Sequence, residues 1–136
     1  MSAAGNGRLT GRTAIVTGAA HGERAALGVA FAKALAREGA KVAVADINDT
    51  SDVAREIEAE GGQALPLRVD VTQEVQINEM VARTIERFGT LEILVNNAAL
   101  GSNIPTVAIS DLTVEEWDKL MAVNVRGPFL CVKAAV

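Results

Sequence analysis

Thr13-Ala14-Ile15-Val16-Thr17-Gly18-Ala19-Ala20-His21-Gly22 is an apolar, β-branched run that breaks into a glycine-bearing turn, and a helical stripe follows from Leu27 to Leu35 before Gly39. A strand that feeds a turn poor in Cβ atoms, followed by a helix whose free N–H groups point outward, is the arrangement a diphosphate requires. The opening of the chain therefore predicts a strand-turn-helix unit that holds a dinucleotide.

Outward from this unit, strand and helix patterns alternate. The first helix repeats Leu27, Ala30, Phe31, Ala34 and Leu35 at helical spacing, places Lys33 and Arg37 on the outer side, and ends at Gly39 as a C-terminal cap. Lys41-Val42-Ala43-Val44-Ala45 reads as a second strand with Asp46 at its carboxyl end. A helix over about 52–60 turns Val53, Ala54 and Ile57 inward and stops at Gly61-Gly62. A third strand over 64–69 leads to Asp70 and Thr72, which flank the start of a helix with the stripe Ile77, Met80, Val81, Thr84, Ile85 and Phe88. Gly89 closes that helix, and a fourth strand over 91–95 runs into Asn96-Asn97-Ala98-Ala99. Thr113 and Glu116 form a capping box for a last helix whose apolar face is Trp117, Leu120, Met121 and Val125. The alternation predicts an α/β fold: a Rossmann-like doubly wound parallel sheet with right-handed crossovers and strand order 3-2-1-4.

Composition agrees. A chain of 136 residues suits one domain, and 49% apolar residues with 3% aromatics describe a core of Ala, Val, Leu and Ile. The net charge of -4 comes without a run of like charges, so neither nucleic acid nor an anionic membrane is expected as a partner. No apolar stretch approaches the roughly 20 residues that span a bilayer, and residues 1–11 lack a signal-peptide pattern. The single Cys131 fits a reducing compartment as a buried structural thiol, and a cytoplasmic location is expected. No metal site is expected.

Three features carry candidate chemistry. Gly18 and Gly22 would free the turn for close approach of phosphate, although glycines in such a turn also serve the turn alone. Asp46 stands where a dinucleotide fold puts the acid that accepts hydrogen bonds from the adenosine ribose, the alternative being a solvated turn aspartate. A carboxylate there repels a 2′-phosphate and favours NAD over NADP, while Arg24 in the turn pulls the other way as a phosphate partner. Asn124 lies seven residues past Trp117, on the apolar face, where an amide needs partners. Pro128, four residues on, has no N–H for the Asn124 carbonyl, so a kink is expected at the proline.

Thr17-Gly18-Ala19-Ala20, Asp46, Asp70-Val71, Asn96-Asn97-Ala98 and Asn124-Val125 occur in the order found in the short-chain dehydrogenase/reductase family, which the chain resembles over nearly its whole length. The resemblance implies an NAD(P)-dependent oxidoreductase that moves hydride between nicotinamide and an alcohol or ketone substrate, acting as a homo-oligomer when full length. By the same resemblance Gly18, Ala20 and the turn into Leu27 face the pyrophosphate, Asp46 the ribose, and Asp70 with the Val71 backbone the adenine. Asn97 and Ala98 line the cofactor's other ribose, Asn96 stabilises the sheet, and Asn124 holds a water that relays protons to the catalytic lysine. Two departures stand out. The usual Gly-x-x-x-Gly-x-Gly is here lengthened by about four residues, so that Leu27-Gly28 takes the place of its last pair and the amides that meet phosphate stay open. Ala99 replaces the usual glycine of the fourth motif.

The family's Tyr and the Lys four residues after it have no counterpart, since the chain contains no tyrosine, and the Ser belongs to a strand expected beyond Val136. The resemblance thus makes 1–136 an incomplete NAD(P)-binding domain, inactive by itself. A non-catalytic dinucleotide-binding module and a fragment that binds nothing are the alternatives. Residues 100–104 are the ones here that would border a substrate.

Overall fold

The computed structural model describes residues 6–22, 27–101 and 106–136. Strands β1 (Thr13–Thr17), β2 (Lys41–Asp46), β3 (Gln63–Arg68) and β4 (Ile93–Val95) alternate with helices α1 (Leu27–Arg37), α2 (Ser51–Ala59) and α3 (Glu74–Phe88). All pairings are parallel and the order is β3-β2-β1-β4, as the alternation predicts. Ala14 pairs with both Val42 and Ile93, so β1 is the central strand from which the chain winds in both directions.

Alternate residues of each strand point to opposite faces, and both faces are covered. Ile15, Ala43 and Ala45 pack with Ile77 and Met80 of α3. Val16, Val42 and Val44 pack on the other side with Val29 of α1 and Ile57 of α2. The predicted stripe of α3 is buried except for Ile85, which is 43% exposed.

The face of α1 differs from the sequence expectation. Gly28, Val29 and Ala32 are buried, whereas Leu27, Ala30, Phe31 and Ala34 are exposed. The cause is contact with the turn: a Cβ at Gly28 would stand 2.1 Å from the Gly18 carbonyl oxygen. Only the small-residue side of α1 fits that close, which turns the larger side chains outward.

After a short 3-10 turn (Ile109–Asp111), α4 (Val114–Met121) starts at the predicted capping box. Thr113 Oγ1 accepts from the Glu116 N–H (3.1 Å), and Glu116 Oε2 accepts from the Thr113 N–H (2.9 Å). The predicted inward face of α4 is not buried: Trp117 is 51% and Val125 54% exposed, and no side chain of α4 is buried. α4 packs mainly on the turn that follows it rather than on the sheet, and the chain meets the core again at Val123 and along its continuation α5 (Gly127–Ala135), with Leu130 and Cys131 buried. Between the two, the backbone makes a π turn (Ala122–Arg126), in which the Gly127 N–H donates to the Ala122 carbonyl five residues back. The irregularity expected at Pro128 thus lies one turn earlier, and the proline sits in the first turn of α5, where a missing N–H disturbs least. Among the described residues no helix is long and apolar enough to cross a membrane.

Candidate functional site

The carboxyl ends of all four strands open onto one cavity of about 160 Å³, whose walls include Gly18, Asp46, Asp70, Val71, Ala98 and Val123. Its volume matches that of a cavity known to admit a benzene ring, about 150 Å³. It lies where the strand order reverses about β1, the position at which open parallel sheets leave a crevice.

Gly18 ends β1 at φ +69°, and a Cβ there would come within 2.9 Å of the Ala98 backbone. The turn after β1 and the turn after β4 are therefore in backbone contact. Thr17 joins them: its hydroxyl accepts from the N–H groups of Asn97 and Ala98, both at 3.1 Å. Asn97 returns the link, its Nδ2 donating to the Gly18 carbonyl (3.0 Å). Neither the hub role of Thr17 nor the clearance at Gly28 was singled out from the sequence. The signal for Thr17 was a hydroxyl at the last position of β1, beside a strand that ends in a turn rich in backbone donors.

Asp46 closes the other side. One oxygen accepts from the Ala20 N–H (3.1 Å) and the other from the Asn48 N–H (2.9 Å). A carboxylate has about four lone-pair sites, so each oxygen keeps one for a hydroxyl donor while its charge opposes a phosphate. Asp70 folds into an Asx turn, Oδ1 accepting from the Thr72 N–H (2.9 Å) and hydroxyl (2.7 Å). Its second oxygen accepts nothing from the described residues.

Of the residues predicted for the site, Gly18, Asp46, Asp70, Val71 and Ala98 share the cavity, and Ala20 is bound to Asp46. Asn97 braces Gly18 from behind, and Asn96 is exposed. Gly22 and Leu27 are exposed beside the cavity rather than in its wall; at Gly22 an added Cβ would meet nothing within 4 Å. Arg24 and positions 102–104 fall outside the described residues.

Asn124 is exposed rather than set in an apolar face, and its amide is spent on the backbone of the β4 turn. Leu100 N–H donates to its Oδ1 (2.7 Å), and its Nδ2 donates to the Leu100 carbonyl (2.8 Å). The π turn puts this side chain against the loop at the cavity mouth, where Leu100 and Val123 both stand.

On the outer side of the turn, His21 Nε2 lies 2.8 Å from Glu56 Oε1 of α2, and Lys33 of α1 contacts the second oxygen of Glu56. Lys33 first, and His21 after it, hold the Glu56 carboxyl below the usual carboxylate range.

The short chain dehydrogenase profile matches residues 12–136, and the chain belongs to that family, whose members bind NAD(P). It is 44% identical over 128 residues to sorbitol dehydrogenase from Cereibacter sphaeroides, an alignment covering 93% of this chain and 46% of that protein. Galactitol 2-dehydrogenase from Agrobacterium fabrum is 39% identical over 127 residues, with 93% and 46% covered. A crystal structure of a short-chain type dehydrogenase/reductase from Mycobacterium marinum superposes with a TM-score of 0.85 at 37% identity, covering 95% of this chain and 49% of that one. The chain spans about half the length of the relatives it matches.

Proposed function

We propose that residues 1–136 form the cofactor-binding part of an NAD-dependent short-chain oxidoreductase acting on an alcohol or ketone substrate. The observation that carries this is the convergence of Gly18, Asp46 and Asp70 on one cavity at the strand ends. The residues present fit a dinucleotide: the glycines at 18 and 28 let β1, α1 and the turn after β4 close up at the cavity, its walls are apolar apart from Thr17, Asp46 and Asp70, and Asp46 and Asp70 each keep a free acceptor. When bound, NAD supplies the site for hydride loss and gain. Gly18, Ala20, Gly22 and Leu27 face its diphosphate, Asp46 takes the adenosine ribose hydroxyls and disfavours NADP, Asp70 and Val71 meet the adenine, and Asn97 and Ala98 border the second ribose. Asn124 positions a proton relay: its side chain is fixed on Leu100, and Pro128 offers no N–H to its backbone carbonyl, leaving that oxygen for water. The 136-residue chain binds without turnover, because a chain without tyrosine has no counterpart of the family's general acid. The polyol substrates named for two relatives point to a hydroxylated substrate. The exposed apolar side of α4 and α5 goes with a homo-oligomer when full length, and the free thiol at Cys131 with the cytoplasm.

Calorimetric titration tests this. Saturable NAD binding, weaker NADP binding and no reduction of NAD by sorbitol are expected. Asp46→Ala should weaken NAD about 10- to 100-fold, the loss of hydrogen bonds to a charged acceptor, and narrow the preference over NADP. No saturation at millimolar NAD would reject the proposal.

A further inference from the structure

We infer that His21, the chain's only histidine, is a positioning residue for the dinucleotide: its tie to Glu56 holds the middle of the glycine-bearing turn in the shape that presents the turn's amides. The inference rests on the cofactor reading above and adds a residue that the family motifs leave unassigned.

The turn after β1 is fastened at successive points to three different elements. The Gly18 carbonyl is held by Asn97 after β4, the Ala20 N–H by Asp46 at the end of β2, and the His21 ring by Glu56 on α2. Gly18 and Asp46 of the first two ties line the cavity, whereas neither His21 nor Glu56 does. The backbone at Ala20 and the side chain of the next residue are thus held by different elements, which restrains the peptides on either side of His21.

Glu56 is a prepared anchor. Lys33 contacts its second oxygen, so the carboxylate is held at both oxygens, and the same two partners hold it below the usual carboxylate range. Lys33 belongs to α1, the helix that must sit within contact of Gly18. One carboxylate thereby joins the turn, α1 and α2. Gly22 is exposed, and a Cβ added there would meet none of the described residues within 4 Å. His21 is thus the outermost tie of the described part of the turn.

The 136-residue chain and its variants His21→Ala, His21→Gln and His21→Ala/Glu56→Ala are titrated with NAD by calorimetry, with amide hydrogen exchange of the turn followed without NAD. His21→Ala should weaken NAD about 2- to 5-fold, the range for losing one solvent-exposed side-chain hydrogen bond, and speed exchange at Ala20 and His21. Glutamine places an N–H donor where the imidazole has Nε2, so His21→Gln should restore most of the affinity and of the protection. With Glu56→Ala added as the other single variant, the double should lose less than the sum of the two singles, because both break the His21–Glu56 link while only Glu56→Ala also frees Lys33. Unchanged affinity in His21→Ala, or a His21→Gln variant as weak as His21→Ala, overturns the inference while leaving the cofactor reading intact. A parent chain that takes up no NAD overturns both.

Discussion

At the scale of single residues, two substitutions separate packing from polarity. Gly28→Ala places a methyl carbon 2.1 Å from a backbone oxygen that cannot swing aside, so α1 must shift as a body. Chemical denaturation should show a loss at or above the roughly 1–3 kcal/mol typical of overpacked sites. Thr13 presents the reverse case, with a buried hydroxyl that has no hydrogen-bond partner among the described residues. Valine fills the same volume without that group, and Thr13→Val should raise stability by about 1 kcal/mol in the same assay. Asp46 and Asp70 were legible as neighbours of one cavity because Asp46 ends β2 and Asp70 follows β3, and the parallel order fixes where strand ends go. Gly28 was legible as a motif position but not as a contact, since its neighbour Gly18 is brought against it only when β1 and α1 pack.

The strands and helices themselves were mostly legible, each apolar run being bounded by Gly, Asp or Asn. Spacing gave the inward face of α3 correctly, because a whole sheet surface lies under it. Spacing gave α1 and α4 wrongly for two different reasons: α1 is turned by one close backbone approach, and α4 stands off the sheet so that nothing selects its apolar side. With little tertiary packing to hold it, α4 depends on its cap. Thr113→Ala should cost about 1 kcal/mol of local helix stability, seen as faster amide exchange over Glu115–Glu116 with the exchange of α3 unchanged. The π turn was legible only as a proline. Its placement before Pro128 follows from Asn124 reaching Leu100, a contact that crosses between distant parts of the chain.

The molecule as a whole carries a set of exposed acidic groups held below their ordinary range: Glu38 by Arg8, Glu56 by Lys33 and His21, Glu60 by Arg37, and Glu92 and Glu116 by the hydroxyl of Thr90 and the backbone of Thr113. A folded-state pKa below the unfolded one stabilises the fold above the unfolded value of about 4.3, and that contribution is lost as pH falls through the folded values. The denaturation midpoint should therefore hold between pH 7 and 5 and fall below about 4.3, with the ion-paired part of the drop smaller in high salt. Cys131 acts at the other end. Burial pushes its thiol up to about 11, so its contribution is complete below the unfolded thiol value and disappears as pH rises through about 11.

That same sulfur gives the domain a built-in stopwatch. Because the chain has one cysteine and it is fully enclosed between α5 and the sheet, an alkylating reagent added in excess registers a molecule only when the layer of helices lifts away. The labelling rate of the chain would time how often the interior is breached, and a slower rate with NAD added would report the binding proposed above.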